Sequence, residues 1–213
     1  MVMRTFTRLY DSHDDAANVV QSLEAAGVPH ADISLVSNNA DGRYGNAATT
    51  GSSSGLTSGD PQQGASTGTG TGASLGTILG GGAGLLAGLG ALAIPGVGPI
   101  VAAGWLVATL TGAGVGAAAG GLVGSLTGAG VSEADAQVHA EGVRRGGTLV
   151  TVRADEAQAG RVETVLDGRT PVNLAMRRAE YETEGWANFN PSAASYTAES
   201  LATERKRRSG TLS

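Results

Sequence analysis

Two short runs have the spacing of a serine nucleophile. Gly51-Ser52-Ser53-Ser54-Gly55 and Gly72-Ala73-Ser74-Leu75-Gly76 both spell G-x-S-x-G, the turn that lifts a serine hydroxyl above a sheet to attack an acyl carbon. That chemistry needs a strand before the turn, and an acid and a histidine after it. Neither run follows a strand-like stretch, and His139 is the only histidine downstream. In a tract this rich in glycine and serine the match follows from composition, so no catalytic residue is assigned.

Other chemistry thins out in the same way. Gly82-Ala83-Gly84-Leu85-Leu86-Ala87 reads as a relaxed dinucleotide fingerprint, but no strand precedes it. His13, His30 and His139 lack metal-ligand spacing, and the absence of cysteine removes thiolate sites and disulfides. These histidines are expected at a surface or interface, with no metal and no cofactor. Arg144 and Arg145 beside Gly146 and Gly147 have the donors to grip a phosphate, yet the favoured reading is a helix end complementing its dipole. The cluster Glu204-Arg205-Lys206-Arg207-Arg208 divides likewise between contact with anionic headgroups and a solvated helix end. A net charge of -5 provides no field to draw in nucleic acid.

What remains is a stretch without any charge. Residues 61–132 contain no Asp, Glu, Lys or Arg, and glycine recurs there at every fourth position. The first run is Gly76, Gly80, Gly84 and Gly88; the second is Gly112, Gly116, Gly120, Gly124 and Gly128. Between them Ile94-Pro95-Gly96-Val97-Gly98-Pro99 breaks the chain. The spacing predicts a glycine-zipper helical hairpin over residues 74–130, smooth on one flank and lined by Leu79, Leu86 and Leu89 on the other. A helix with no polar face must be buried in lipid or in protein. Residues 74–94 span about 31 Å as a helix, close to a hydrocarbon core of about 30 Å. Trp105 would suit the headgroup boundary. The alternative is a protein-lined apolar core between subunits.

The charged parts must position this insertion. Residues 1–37 alternate and then turn helical, with Asp11 or Ser12 as the cap, Gly27 as the stop and a second strand over residues 32–37. Residues 38–73 read as a flexible Gly/Ser/Thr linker with almost no apolar residues. Within residues 131–176, Ser132-Glu133-Ala134-Asp135 opens a helix as a capping box, residues 148–153 form a strand, Asp155 caps a further helix, and residues 172–176 form the last strand. The expected fold is α+β, a ferredoxin-like split βαβ sandwich with the hairpin inserted centrally. Residues 177–213 are a tail in which Trp186, Phe189 and Tyr196 are expected to pack on the sheet or on a neighbouring subunit.

The runs Ser132-Glu133-Ala134-Asp135-Ala136 and Gly142-Val143-Arg144-Arg145-Gly146-Gly147-Thr148-Leu149-Val150-Thr151-Val152 resemble bacterial general stress proteins of the heat-induced or low-temperature-induced type. Val19-Val20-Gln21-Ser22-Leu23-Glu24-Ala25-Ala26-Gly27-Val28 and the tail segment Glu184-Gly185-Trp186-Ala187-Asn188-Phe189-Asn190-Pro191 are similar too. The resemblance implies a stress context and brings no active site with it. The expectation is a non-enzymatic stress-response protein that self-associates through the zipper in or on a lipid membrane, with its folded domain in the cytoplasm. A soluble homo-oligomeric binding module is the alternative; nucleic acid and small-molecule substrates are not expected as partners.

Overall fold

The structure is a computed structural model, and it describes residues 3–44, 90–94, 96–112 and 121–210. The first strand, β1 (Met3–Tyr10), sends Phe6 and Tyr10 to one face and Leu9 to the other. Ser12 opens α1 (His13–Ala25) by accepting the amide of Asp15 at 3.3 Å, with Asp14 and Asp15 at the helix's positive end. Ala16, Val19, Val20 and Leu23 make its buried stripe. Gly27, at φ +88°, turns the chain towards β2 (Ile33–Asn38).

The uncharged stretch enters the sheet. β3 (Gly90–Ile94) and β4 (Gly98–Gly104) form an antiparallel hairpin, and β4 pairs with β2 through Leu35 against Ala103 and Asn38 against Ile100. The expected break at residues 94–99 is where the chain turns, but strands flank it where helices were expected. The reason is burial on both sides of β4. Val101 and Ala103 face one core and Ile100 and Ala102 the other, so β4 reads as a continuous apolar run, as a helix buried all round would. Gly104 then bends the chain into α2 (Trp105–Gly112) at φ +93°, where a Cβ would overlap the Ile33 carbonyl oxygen and lie 2.7 Å from Ser34 Cα. α3 (Gly121–Gly128) follows. No helix among the described residues is long and apolar enough to cross a membrane.

Ser132 caps α4 (Glu133–Arg144) by accepting the Asp135 amide at 3.1 Å. β5 (Thr148–Asp155) inserts between β1 and β2, antiparallel to both. Asp155 caps α5 (Glu156–Asp167) through the amide of Gln158. Among the described residues the sheet has five strands in the order β1-β5-β2-β4-β3, with every neighbour antiparallel.

The chain therefore closes one split βαβ unit and leaves the second open. The strand expected over residues 172–176 shrinks to one bond, from the Val172 amide to the Leu9 carbonyl at 2.8 Å. Asn173 then accepts the Met176 amide and starts α6 (Leu174–Thr183), which buries Arg177 and Tyr181 one turn apart. The last helix is α7 (Ala198–Gly210).

Each face of the sheet has its own core. α1 and α5 cover Phe6, Tyr10, Ile33, Leu35, Val150 and Val152. On the opposite face Leu106, Leu122, Leu126, Ala136, Ala140 and Val143 pack on Leu9, Val36, Ile100 and Leu149. Burying helices on both faces of an antiparallel sheet leaves only its two edges open to solvent or partners.

Candidate functional site

The zipper positions divide. Gly76, Gly80, Gly84, Gly88, Gly116 and Gly120 lie outside the described residues, as do Ser53, Ser74 and the run Gly82-Ala83-Gly84-Leu85-Leu86-Ala87. Gly112 ends α2, and Gly124 and Gly128 lie on α3. A Cβ built on Gly124 or Gly128 meets nothing within 4 Å, so among the described residues no other element packs closely on either position. Among the described strands β3 ends the sheet on that side, and its five residues Gly90-Ala91-Leu92-Ala93-Ile94 are all uncharged. Its turn is overlaid by the tail: a Cβ on Gly96 would lie 2.6 Å from Pro191 Cα, and one on Gly98 2.9 Å from Ser195 Cβ. Trp105 lies under the Arg153 guanidinium at 4.6 Å.

The C-terminal arginines turn inward. Arg208 bonds Asp11 at 2.7 Å and also donates to the Arg145 carbonyl; Arg205 bonds Asp41 at 2.8 Å. Arg207 pairs with Glu184 and, at 2.8 Å, with Glu204. The solvated helix end expected of this cluster is thus replaced by ion pairs that dock α7 on the domain, because Asp11, Asp41 and Glu184 converge on it from distant parts of the chain. Arg177 adds a two-pronged bond to Asp11 at 3.0 and 2.7 Å. Burial alone would raise the Asp11 pKa, but Arg177 and Arg208 outweigh it and hold the carboxyl below its usual range.

Arg144 and Arg145 do close α4, yet more than a helix dipole holds them. Fully buried Glu141 accepts Arg145 Nε at 2.6 Å and pairs with Arg144 Nη1 at 3.5 Å, and Arg145 also reaches Glu184. The Arg145 guanidinium lies 4.1 Å from the centre of the Tyr181 ring, and Trp186 meets that ring edge-on. Phe189 packs against the second core as expected, whereas Trp186 and Tyr196 lie on Tyr181 of α6 and Arg144 of α4 in place of the sheet.

The third feature is a cleft of about 290 Å³ beside β1, where a fourth split-βαβ strand would lie. Thr7, Arg8 and Leu9 supply its strand side, and His139 of α4 borders it. His139 was expected at a surface or interface, but it lies inside the chain's own fold, where α6 packs over α4 and leaves the side chain 2% exposed. Burial lowers its pKa to about 4, so the ring is neutral at pH 7. His139 Nδ1, Thr7 Oγ1 and Thr151 Oγ1 are all buried with no hydrogen-bond partner among the described residues. Each such group costs about 1–3 kcal/mol where no partner is supplied. Thr151 faces Thr7 across the β1–β5 pairing.

Sequence reasoning missed this cleft because His139 sits on an ordinary amphipathic pattern. The readable signal was Asn173, three residues before Met176 and followed by Arg177 and Tyr181 at helical spacing, which converts the last strand into a helix and opens the slot. Among the described residues no group of three or more His, Cys, Asp or Glu side chains could hold a metal ion. Comparison with known protein families, curated proteins and solved structures returns no match.

Proposed function

We propose that this chain is a non-enzymatic, self-associating protein of the bacterial stress type, working in the cytoplasm, in which the uncharged segment joins copies of the chain. The observation that supports it most is β3, a sheet edge with no charge and no described partner on its outer side. Natural sheets protect such edges with lysines, prolines or covering elements, since an exposed edge templates pairing with another chain. Residues 61–89, equally without charge, lead directly into it. In this reading the sheet is a ferredoxin-like unit with one strand missing, and the insertion supplies the contact surface through β3 and the zipper glycines.

Lipid contact is the second reading. It is favoured by the apolar run Leu75, Ile78, Leu79, Leu85, Leu86 and Leu89, which precedes β3 without a charged residue.

Light scattering on the full chain without detergent tests the first reading. The expected mass exceeds that of one chain, and replacing both Gly84 and Gly120 by Leu reduces it by blocking backbone approach. A wild-type mass of one chain overturns self-association. Flotation of the protein with lipid vesicles, in place of recovery in the supernatant, selects the second reading.

A further inference from the structure

We infer that the cleft along the outer edge of β1 binds a small aliphatic monocarboxylate, its head on the unpaired donors of the strand edge and its tail against Pro171, Val172 and Leu174.

The argument begins with the ladder. In an antiparallel pair, alternate residues turn both backbone groups towards the partner strand, and the residues between turn both away. The Leu9 carbonyl accepts the Val172 amide, so Leu9, and with it Thr7, faces outward from β5. The Thr7 carbonyl in turn accepts Arg8 Nη1 at 3.1 Å. Both outward acceptors therefore have a donor, while the amides of Thr7 and Leu9 have no partner among the described residues.

The side chains around them repeat this imbalance. Thr7 Oγ1 and His139 Nδ1 are buried without a partner, and a neutral imidazole carries one N–H. Arg8 only donates; Asp167 takes its Nε at 2.8 Å, and each Nη retains a further hydrogen. Asn173 Oδ1, an acceptor at the mouth, is bound to the Met176 amide. Among the described residues no Asp or Glu lines the cleft.

Two backbone amides and a guanidinium that only donate, beside a hydroxyl and an imidazole that can each donate, select an acceptor. An extended peptide offers N–H and C=O alternately, so its amides would meet carbonyls that already have donors. A carboxylate accepts at both oxygens and donates nothing, which matches the free groups. The lining opposite is apolar, and a space of about ten water volumes suits a short-chain acid rather than a nucleotide.

Equilibrium dialysis of the full chain against radiolabelled hexanoate and hexanol, which share a tail and differ in the head, tests this. The expected result is saturable hexanoate uptake and affinity for hexanol lower by about tenfold or more. Val172→Trp, which fills the slot, should lower hexanoate affinity at least as far while leaving the melting temperature close to wild type. Uptake that stays unsaturated at millimolar hexanoate overturns the assignment, as does equal affinity for hexanol, or undiminished binding to a folded Val172→Trp variant. Should that variant fail to fold, the hexanoate and hexanol comparison on the wild type still decides. Dialysis reads the free acid whatever the size of the assembly, so this result and that of the self-association test are separate.

Discussion

The two edges of the sheet are opposites. At one, β1 carries Arg4 and Arg8, paired with Glu156 at 3.2 Å and Asp167 at 2.8 Å, and Val172 covers part of its backbone. At the other, β3 carries no charge and no described strand pairs with its outer side. A second strand laid on β1 would desolvate two arginines and displace the Val172 bond, whereas one laid on β3 meets neither obstacle. The difference teaches that one sheet can refuse extension at one margin and invite it at the other without any change of fold. It also explains how β1 keeps unpaired donors for a small ligand without recruiting another chain.

The strongest way to break the comparison is to give β3 the protection β1 has. Ala93 is exposed on β3, so Ala93→Lys places a charge on the open edge. The expected outcome is a fall in mass by light scattering to that of a single chain; an unchanged assembly would show that copies do not meet at β3. Gly104→Ala attacks the same side from within the fold. Its Cβ must overlap the Ile33 carbonyl at a positive φ, so denaturant unfolding should show a loss of about 3 kcal/mol or more. A loss under 1 kcal/mol would mean that α2 leaves β4 by another route.

On the β1 side the sharper probe is pH. A histidine ordinarily takes its proton near 6.5, while buried His139 resists until about 4. The unfolded chain therefore binds the extra proton first, so His139's contribution is fully present above pH 6.5 and is lost as the pH falls towards 4. The total is about 3 kcal/mol. Urea unfolding of wild type and His139→Leu at several pH values isolates this slope from that of the carboxylates, and parallel curves would refute it. The smallest effect belongs to Arg4→Ala. The Arg4–Glu156 pair is solvent-exposed, so stability should change by less than about 0.5 kcal/mol. With Arg8 still in place, the scattering mass should not change.

Much of the frame was readable before any coordinates. Ser12, Ser132 and Asp155 each cap a helix by bonding the amide three residues on, and Gly27 stops α1. The β2 and β5 strands lie within two residues of their expected limits. These features depend on three or four adjacent residues, so local chemistry suffices. The open β1 edge was less legible, because the Val172-Asn173 pair was read for its apolar neighbour and not for its cap. Buried His139 was illegible for another reason: the residues of α6 that cover it come from a different part of the chain.

What the amino-acid order determined alone is where elements begin and end and which stretch lacks charge, since caps, glycines and prolines act on immediate neighbours. What only the tertiary structure decided is the identity of residues 90–104. A run apolar on every side satisfies a buried helix and a doubly buried strand equally, and the choice was made when β2 offered an edge on which Leu35 and Asn38 take Ala103 and Ile100 as partners. Hydrogen bonds to a strand so far away in the chain leave no mark on local periodicity, and that pairing made β3 the sheet's uncharged margin.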